Sequence, residues 1–291
     1  QPSINSFSPS SGPMGTAVTI SGTNFSAIPS ANIVYFGAAR ATVLTASATS
    51  LSVAAPATAT YQPITVTVNG LTASSARPFI VTFAGGGNII APSFAARLDF
   101  ATDLHPEVLV AADFDGDGKT DLASSNYYNS GGPSASISVL RNTGTAGTID
   151  FAPRVDLTAK TYTFGLAAGD LNGDGKPDLA ATSSSGTQTV SVFLNTSSPG
   201  VISFASKVDY ATGTSPAGVA IADVDGDGRL DLIVADFLSG TVSLFQNTSS
   251  GSALSFAPKV DVATGQGPYN VAMGDLDGDG RPDLAIGTAK N

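Results

Sequence analysis

Two stretches of this chain read Asp113-Phe-Asp115-Gly-Asp117-Gly-Lys119-Thr-Asp121 and Asp170-Leu-Asn172-Gly-Asp174-Gly-Lys176-Pro-Asp178. Two more read Asp223-Val-Asp225-Gly-Asp227-Gly-Arg229-Leu-Asp231 and Asp275-Leu-Asp277-Gly-Asp279-Gly-Arg281-Pro-Asp283. Carboxylates at positions 1, 3, 5 and 9 of one short segment repel one another unless a cation neutralises them. Calcium suits such a set, because it takes about six to eight oxygen ligands in a flexible geometry. Glycines at positions 4 and 6 let the backbone curl through positive φ, which larger residues do at a cost. The carbonyl of position 7 (Lys119, Lys176, Arg229, Arg281) is a further candidate ligand, its side chain free to point outward. The expectation is about four Ca²⁺ ions, one per loop, with weaker binding in the second, where Asn172 supplies an amide oxygen instead of a carboxylate.

An EF-hand is the competing reading of these loops. It requires a bidentate Glu at position 12 and a helix on each side. Position 12 here is Ser124, Ala181, Val234 or Ile286, and the only glutamate in the chain is Glu107. Both flanks of every loop are strand-like (Val219-Ala-Ile-Ala222 before the third, Leu232-Ile-Val-Ala235 after it), so the EF-hand reading fails.

Charge is distributed very unevenly. Residues 1–83 hold no acidic residue and only Arg40 and Arg77, whereas residues 84–291 hold all 23 acidic residues against 11 basic ones, a net of −12. Of 22 aspartates, 15 lie inside the four loops, so four Ca²⁺ would reduce −12 to −4. The acidity is therefore mostly a metal requirement. No basic cluster exists to contact phosphates, which argues against nucleic acid as a partner. There is no cysteine, hence no disulfide and no thiolate metal site. Extracellular calcium modules commonly bind at ~10⁻⁴–10⁻³ M, so loops of this kind fit a secreted or cell-surface protein. No apolar run is long enough to span a bilayer, so membrane insertion is not expected. A start at Gln1 with a globular pattern reads as a processed end.

Residues 1–83 are short β-branched runs at period two, separated by Gly, Pro and Asn turns, which indicates a β-sandwich. Pro9-x-x-Gly12-Pro-x-Gly15-Thr16, Gly22-Thr-Asn24-Phe25, Val34-Tyr-Phe36-Gly37 and Phe79-Ile-Val-Thr resemble an IPT/TIG immunoglobulin-like domain. That resemblance implies a spacer or interaction module. Residues 84–90 are a Gly-rich linker, flexible by composition, so metal removal from the remainder is expected to leave residues 1–83 unaffected.

Residues 91–291 are an internal repeat. Phe94-Ala, Phe151-Ala, Phe204-Ala and Phe256-Ala recur at spacings of 57, 53 and 52, the same as those of the acidic loops. Ser138-Val-Leu-Arg-Asn142, Ser191-Val-Phe-Leu-Asn195 and Ser243-Leu-Phe-Gln-Asn247 recur with them. Each unit is thus four strands: one entering the loop, one leaving it, one ending in Asn, and one at the Phe-Ala pair. That is the arithmetic of a propeller blade. The loops with their flanking strands are similar to the FG-GAP/VCBS repeats of integrin-α-type propellers, and the resemblance implies Ca²⁺ held by positions 1, 3, 5 and 9 between a blade's first two strands. The fold class expected is all-β, an Ig-like sandwich followed by a propeller of four-stranded blades. Only eight residues follow Asp283, and propellers of this kind usually have seven blades, so the chain is expected to be part of a larger ring.

Catalysis has little support. The lone His105 precedes a proline in a segment that varies between repeats, and a triad needs an oriented imidazole. The recurring Asp99, Asp156, Asp209 and Asp261 read as structural, as do the recurring phenylalanines. Asn195 and Asn247 fall in Asn-x-Ser/Thr sequons at one repeat position, which reads as a strand-ending turn residue. Tyr127, Tyr128, Tyr162 and Tyr269 do not recur and are the better candidates for ligand contact. The leading functional expectation is a non-enzymatic calcium-binding adhesion or interaction module whose partner is an extracellular protein or glycan. A lectin-like propeller accessory to a polysaccharide-degrading enzyme is the second, and a structural subunit of an extracellular assembly the third.

Overall fold

The computed structural model describes residues 1–56, 59–82, 95–127, 137–160, 162–184, 188–250, 253–274, 276–277 and 282–289. The linker at 84–90, Phe94 and Tyr128 lie outside them. Among the described residues the regular structure is β apart from one 3₁₀ turn at Pro29–Ala31.

Nine strands build the N-terminal unit: β1 Ser3–Ser8, β2 Ser11–Gly12, β3 Ala17–Thr23, β4 Ile33–Phe36, β5 Ala39–Ala46, β6 Ser50–Ala54, β7 Pro63–Val68, β8 Leu71–Pro78 and β9 Ile80–Val81. The order β1-β3-β6-β5-β4-β7-β8 folds over at β5. Residues 42–46 of β5 pair with β6, while residues 39–41 pair with β4. One strand therefore serves both layers of the sandwich, a common way to turn a sheet corner. Period-two alternation delivers Val18 and Ile20, Leu51 and Val53, Val34 and Phe36, and Ile64 and Val66 into one core closed by Phe79.

The repeats follow as three four-stranded antiparallel sheets and one pair. They are β10 Pro106–Ala112, β11 Asp121–Asn126, β12 Ile137–Leu140 and β13 Val155–Leu157; β14 Thr163–Gly169, β15 Asp178–Ser183, β16 Thr189–Phe193 and β17 Val208–Ala211; β18 Pro216–Ala222, β19 Asp231–Asp236, β20 Thr241–Phe245 and β21 Val260–Ala263; and β22 Pro268–Gly274 with β23 Asp283–Thr288. The innermost strands β10, β14, β18 and β22 lie side by side, as in propeller blades. The second and third strands of the middle blade are buried along their whole length, because neighbouring blades cover both faces. That is why they read as unbroken runs of Val, Ala, Leu, Ser and Thr. Leu166, Leu179, Ala181 and Phe193 meet Ala112, Ala123, Ile137 and Val139 between the first two blades. Val190, Val192 and Ala180 meet Val219, Leu232 and Val234 between the next two.

The fourth strand differs in detail from the sequence reading. It begins about four residues after the Phe-Ala pair, and Phe151, Phe204 and Phe256 form single bridges to Asn142, Asn195 and Asn247. Their rings still fill gaps between sheets: Phe204 meets Phe114 edge-on at 5.8 Å and Phe256 meets Tyr210 at 5.0 Å. Asp156, Asp209 and Asp261 each accept a hydrogen bond from Ser138, Ser191 or Ser243 at 3.0, 2.6 and 2.8 Å. These aspartates clip the fourth strand to the third, the structural role their recurrence suggested.

The strand-ending asparagines are joints between blades. Asn195 Nδ2 donates to Pro177 O in its own blade (2.8 Å) and to Phe114 O in the preceding one (2.9 Å), and its Oδ1 accepts from Ser197 N (2.8 Å). Asn247 repeats the set with Leu230 O, Leu171 O and Ser249 N at 2.8, 2.7 and 2.9 Å. Both are buried, and both side-chain amide nitrogens are committed to backbone carbonyls. Replacing Asn195 by Ala would strand three backbone groups away from water. Urea unfolding should show a loss of about 2–4 kcal/mol, and a loss below about 0.5 kcal/mol would contradict this joint.

Candidate metal centres

Each loop joins the first and second strands of a blade, and the glycines take the conformation the sequence required. φ is +74° and +87° at Gly116 and Gly118, +74° and +86° at Gly173 and Gly175, and +78° and +87° at Gly226 and Gly228. The curl turns backbone amides onto the carboxylates. In the first loop Gly116 N and Gly118 N donate to the two oxygens of Asp113 at 2.9 and 3.0 Å. Asp117 N donates to Asp115 (3.1 Å) and Lys119 N to Asp117 (2.9 Å). The third loop repeats these contacts with Asp223, Asp225 and Asp227 as acceptors. In the second, Asp170, Asn172 and Asp174 take the same parts.

One carboxylate oxygen from each of Asp113, Asp115 and Asp117 lies within 4.8 Å of the others, and so do those of Asp223, Asp225 and Asp227. Three hard anionic donors converging on one point match calcium's preference for oxygen. In the second loop the Asp170 and Asn172 side-chain oxygens converge on Asp174 N, which donates to both at 3.0 Å. Lys176 Nζ donates to Ser197 O at 2.9 Å and Arg229 Nε to Asn247 O at 2.7 Å, so these side chains leave the loop interior. Arg229 also pairs with Asp227. Of the fourth loop's candidate ligands only Asp277 and Asp283 fall among the described residues; Asp275, Asp279 and Arg281 do not.

The aspartate at position 9 has a second task that the spacing alone did not reveal. Asp121 accepts from Phe114 N on one oxygen (2.9 Å) and from Asn142 N on the other (2.7 Å). Asp178 does so with Leu171 N and Asn195 N at 2.9 and 2.8 Å, and Asp231 with Val224 N and Asn247 N at 2.9 and 2.7 Å. Asp283 accepts from Leu276 N at 2.8 Å. Asp121, Asp178 and Asp231 thus tie the loop to the end of the third strand, and any metal contact would use their remaining lone pairs.

Burial disfavours the charge on these groups. It pushes Asp113 up to about 6, Asp121 to about 7, Asp170 to about 6, Asp178 to about 8 and Asp231 to about 6, neighbouring carboxylates adding to the rise and backbone amides opposing it. A divalent cation bound among them would supply a counter-charge.

The sandwich covers this end of the blades. Asp113 N donates to Ala38 O (3.0 Å), Tyr35 Oη to Gly175 O (2.9 Å) and Thr72 N to Gly228 O (2.7 Å). Burial and the nearby Asp113, Asp170 and Asp174 hold the Tyr35 phenol well above its ordinary value, so it remains a donor. A cleft of about 470 Å³ between the units is lined by Asn69, Gly70, Asp170, Asn172, Asp174 and Arg229. The N-terminal unit therefore packs on the loops.

The remaining candidates gather at the opposite end of the same strands. Tyr127, Tyr162 and Tyr269 are 38, 41 and 44% exposed. They form an edge-on series: Tyr127 to Tyr162 at 5.5 Å, Tyr127 to Phe164 at 6.3 Å, Phe164 to Tyr269 at 5.1 Å and Tyr269 to Phe237 at 5.9 Å. His105 is exposed there, with φ +53°, and its carbonyl accepts from Tyr127 N at 2.9 Å.

Family comparison agrees with this architecture. The FG-GAP-like repeat matches residues 113–181, 179–234 and 224–286, and the IPT/TIG domain matches residues 2–83. The chain belongs to the FG-GAP-like repeat family and carries an N-terminal IPT/TIG domain. A comparison with curated proteins found no match. Among solved structures, an auxiliary nutrient binding protein from Bacteroides thetaiotaomicron is similar at 13% identity over 99% of this chain and 98% of that one, with a TM-score of 0.27. A rhamnogalacturonan lyase from Bacillus licheniformis is similar at 17% identity over 95% of this chain and 57% of that one, with a TM-score of 0.43. At such TM-scores the functional reading rests on this chain's own residues.

Two predictions follow from the loops. Without metal, the folded state keeps protons on the raised aspartates to higher pH than the unfolded chain, where they leave near 3.8. Stability in EDTA should therefore fall as pH rises from about 4 through 8. Excess calcium should reverse the slope, because acid then expels the ion; parallel melting curves at pH 5 and 8 decide it. Calcium titration should also lose one site in Asp227→Ala while Lys119→Ala stays near wild type. Equal loss from both would refute the ligand assignment.

Proposed function

We propose that the chain is a calcium-stabilised, non-enzymatic binding module that works outside the cell. The observation that carries this reading is the division of labour between the two ends of the blades. The loop end holds convergent carboxylates that are nearly the same in every blade, and the sandwich lies over it. At the other end the described residues include part-exposed aromatic side chains that differ from blade to blade. Discrimination of a partner requires such differences, and variable connections on a rigid scaffold are where binding residues generally sit. Calcium serves folding here: it neutralises carboxylates that also tie the strands of each blade together.

The partner is an extracellular protein or a glycan, and the aromatic series favours the glycan. Tyrosine presents a broad apolar face with a polar tip, which suits the mixed C–H and hydroxyl surface of a sugar ring. Among the described residues no helix is long and apolar enough to cross a membrane. Replacing Tyr127, Tyr162 and Tyr269 together by Ser should abolish most binding on a glycan array and leave the melting temperature within a few degrees. Glycan binding that survives this change would move the site elsewhere. No glycan binding by the intact protein, with capture of a protein ligand instead, would select the adhesion reading.

A further inference from the structure

The contact between the sandwich and the repeats uses loop backbone almost throughout. The loop atoms involved include the amide of Asp113 at position 1 and the carbonyls of Gly175 and Gly228 at position 6, and the Gln1 side chain also reaches the third loop. Two further approaches are closer than any side chain on the loop would permit. A β-carbon on Gly173 would lie 2.6 Å from Gly70 Cα, and one on Gly175 would lie 2.3 Å from Ile33 Cδ1. The Gly228 carbonyl and the Gly173 and Gly175 backbones sit where they do only while their loops are curled. The curl in turn depends on amides 4 to 6 wrapping the side-chain oxygens at positions 1 and 3. The position-1 carboxylate repels the others of its loop, and calcium would relieve that repulsion.

We propose that the N-terminal domain is a calcium-dependent cap: it docks on the first three loops when they hold calcium and loosens when they are emptied. The proposal rests on the calcium reading above and adds an energetic link between two units that the sequence presents as independent. A loop held by Tyr35, Ile33 and Gly70 is closer to its metal-bound shape than a free one, so docking raises calcium affinity. By reciprocity calcium raises docking by the same factor. Three loops contacted by one rigid body make the effect cumulative, which no single surface hydrogen bond would achieve.

The test uses the full chain. Hydrogen exchange at the Asp113 and Thr72 amides should quicken at least about fivefold when calcium is replaced by EDTA, while core amides of the sandwich such as Ile20 keep their protection. Calcium titration of a Tyr35→Phe/Ile33→Ala variant should show at least about fivefold weaker binding although no ligand is altered. Tyr61→Phe, at a sandwich residue that is 75% exposed, should bind as wild type. Circular dichroism establishes that each variant's sandwich is folded. Unchanged exchange at both interdomain amides, with calcium verifiably bound and then removed, overturns the cap and leaves the calcium sites standing. Absence of calcium binding to the wild-type chain overturns both.

Discussion

A buried carboxylate organises each repeat. Asp121, Asp178 and Asp231 lose nearly all contact with water, an arrangement that is expensive for a charge unless both oxygens are occupied. Both are: one holds the loop through its second amide, the other holds the third strand through the amide of its final asparagine. The loop's second residue and the asparagine after the third strand are held by that one group. The asparagine then passes the constraint to the preceding blade through its side-chain amide.

Seen this way, the acidic loop is more than a pocket for an ion. Its first and third residues wrap backbone amides and converge with the fifth, and its ninth residue anchors the blade. Position 2 points the other way: Phe114 and Leu171 are buried in the apolar layers between sheets. A nine-residue segment therefore joins a candidate metal centre to the hydrophobic core with no intervening layer. One peptide unit separates the position-1 carboxylate from that packing.

Much of this was legible in the residues. The positive φ of the loop glycines followed from their need to curl, and the four-strand unit followed from three motifs recurring at equal spacing. Two features were not legible. The bond from Asn195 to Phe114 O spans 81 residues, and nothing local distinguishes it from an ordinary turn-forming asparagine, which is how the position reads. The docking of the sandwich was hidden for a different reason. Its contacts are made by small residues and backbone atoms (Ala38, Gly70, Thr72), which leave no pattern of charge or hydrophobicity. The Gly-rich stretch at 84–90 instead suggested independence between the units. Tyr35 and Ile33 gave the one signal available, since period two on β4 turns them away from Val34 and Phe36 in the sandwich core.

The asparagine joints also give the array a direction. In both pairs the donor belongs to the later blade and the acceptor to the earlier one. A genetic duplication that copies one whole unit, from one Phe-Ala pair to the next, therefore carries a complete set of parts. The new blade brings a donor for its predecessor and an acceptor for its successor, and no existing bond is left open. A duplication of half a unit would break the series at both seams. The chemistry of a single side-chain amide thus makes blade number easy to change in whole steps and hard to change in any other way.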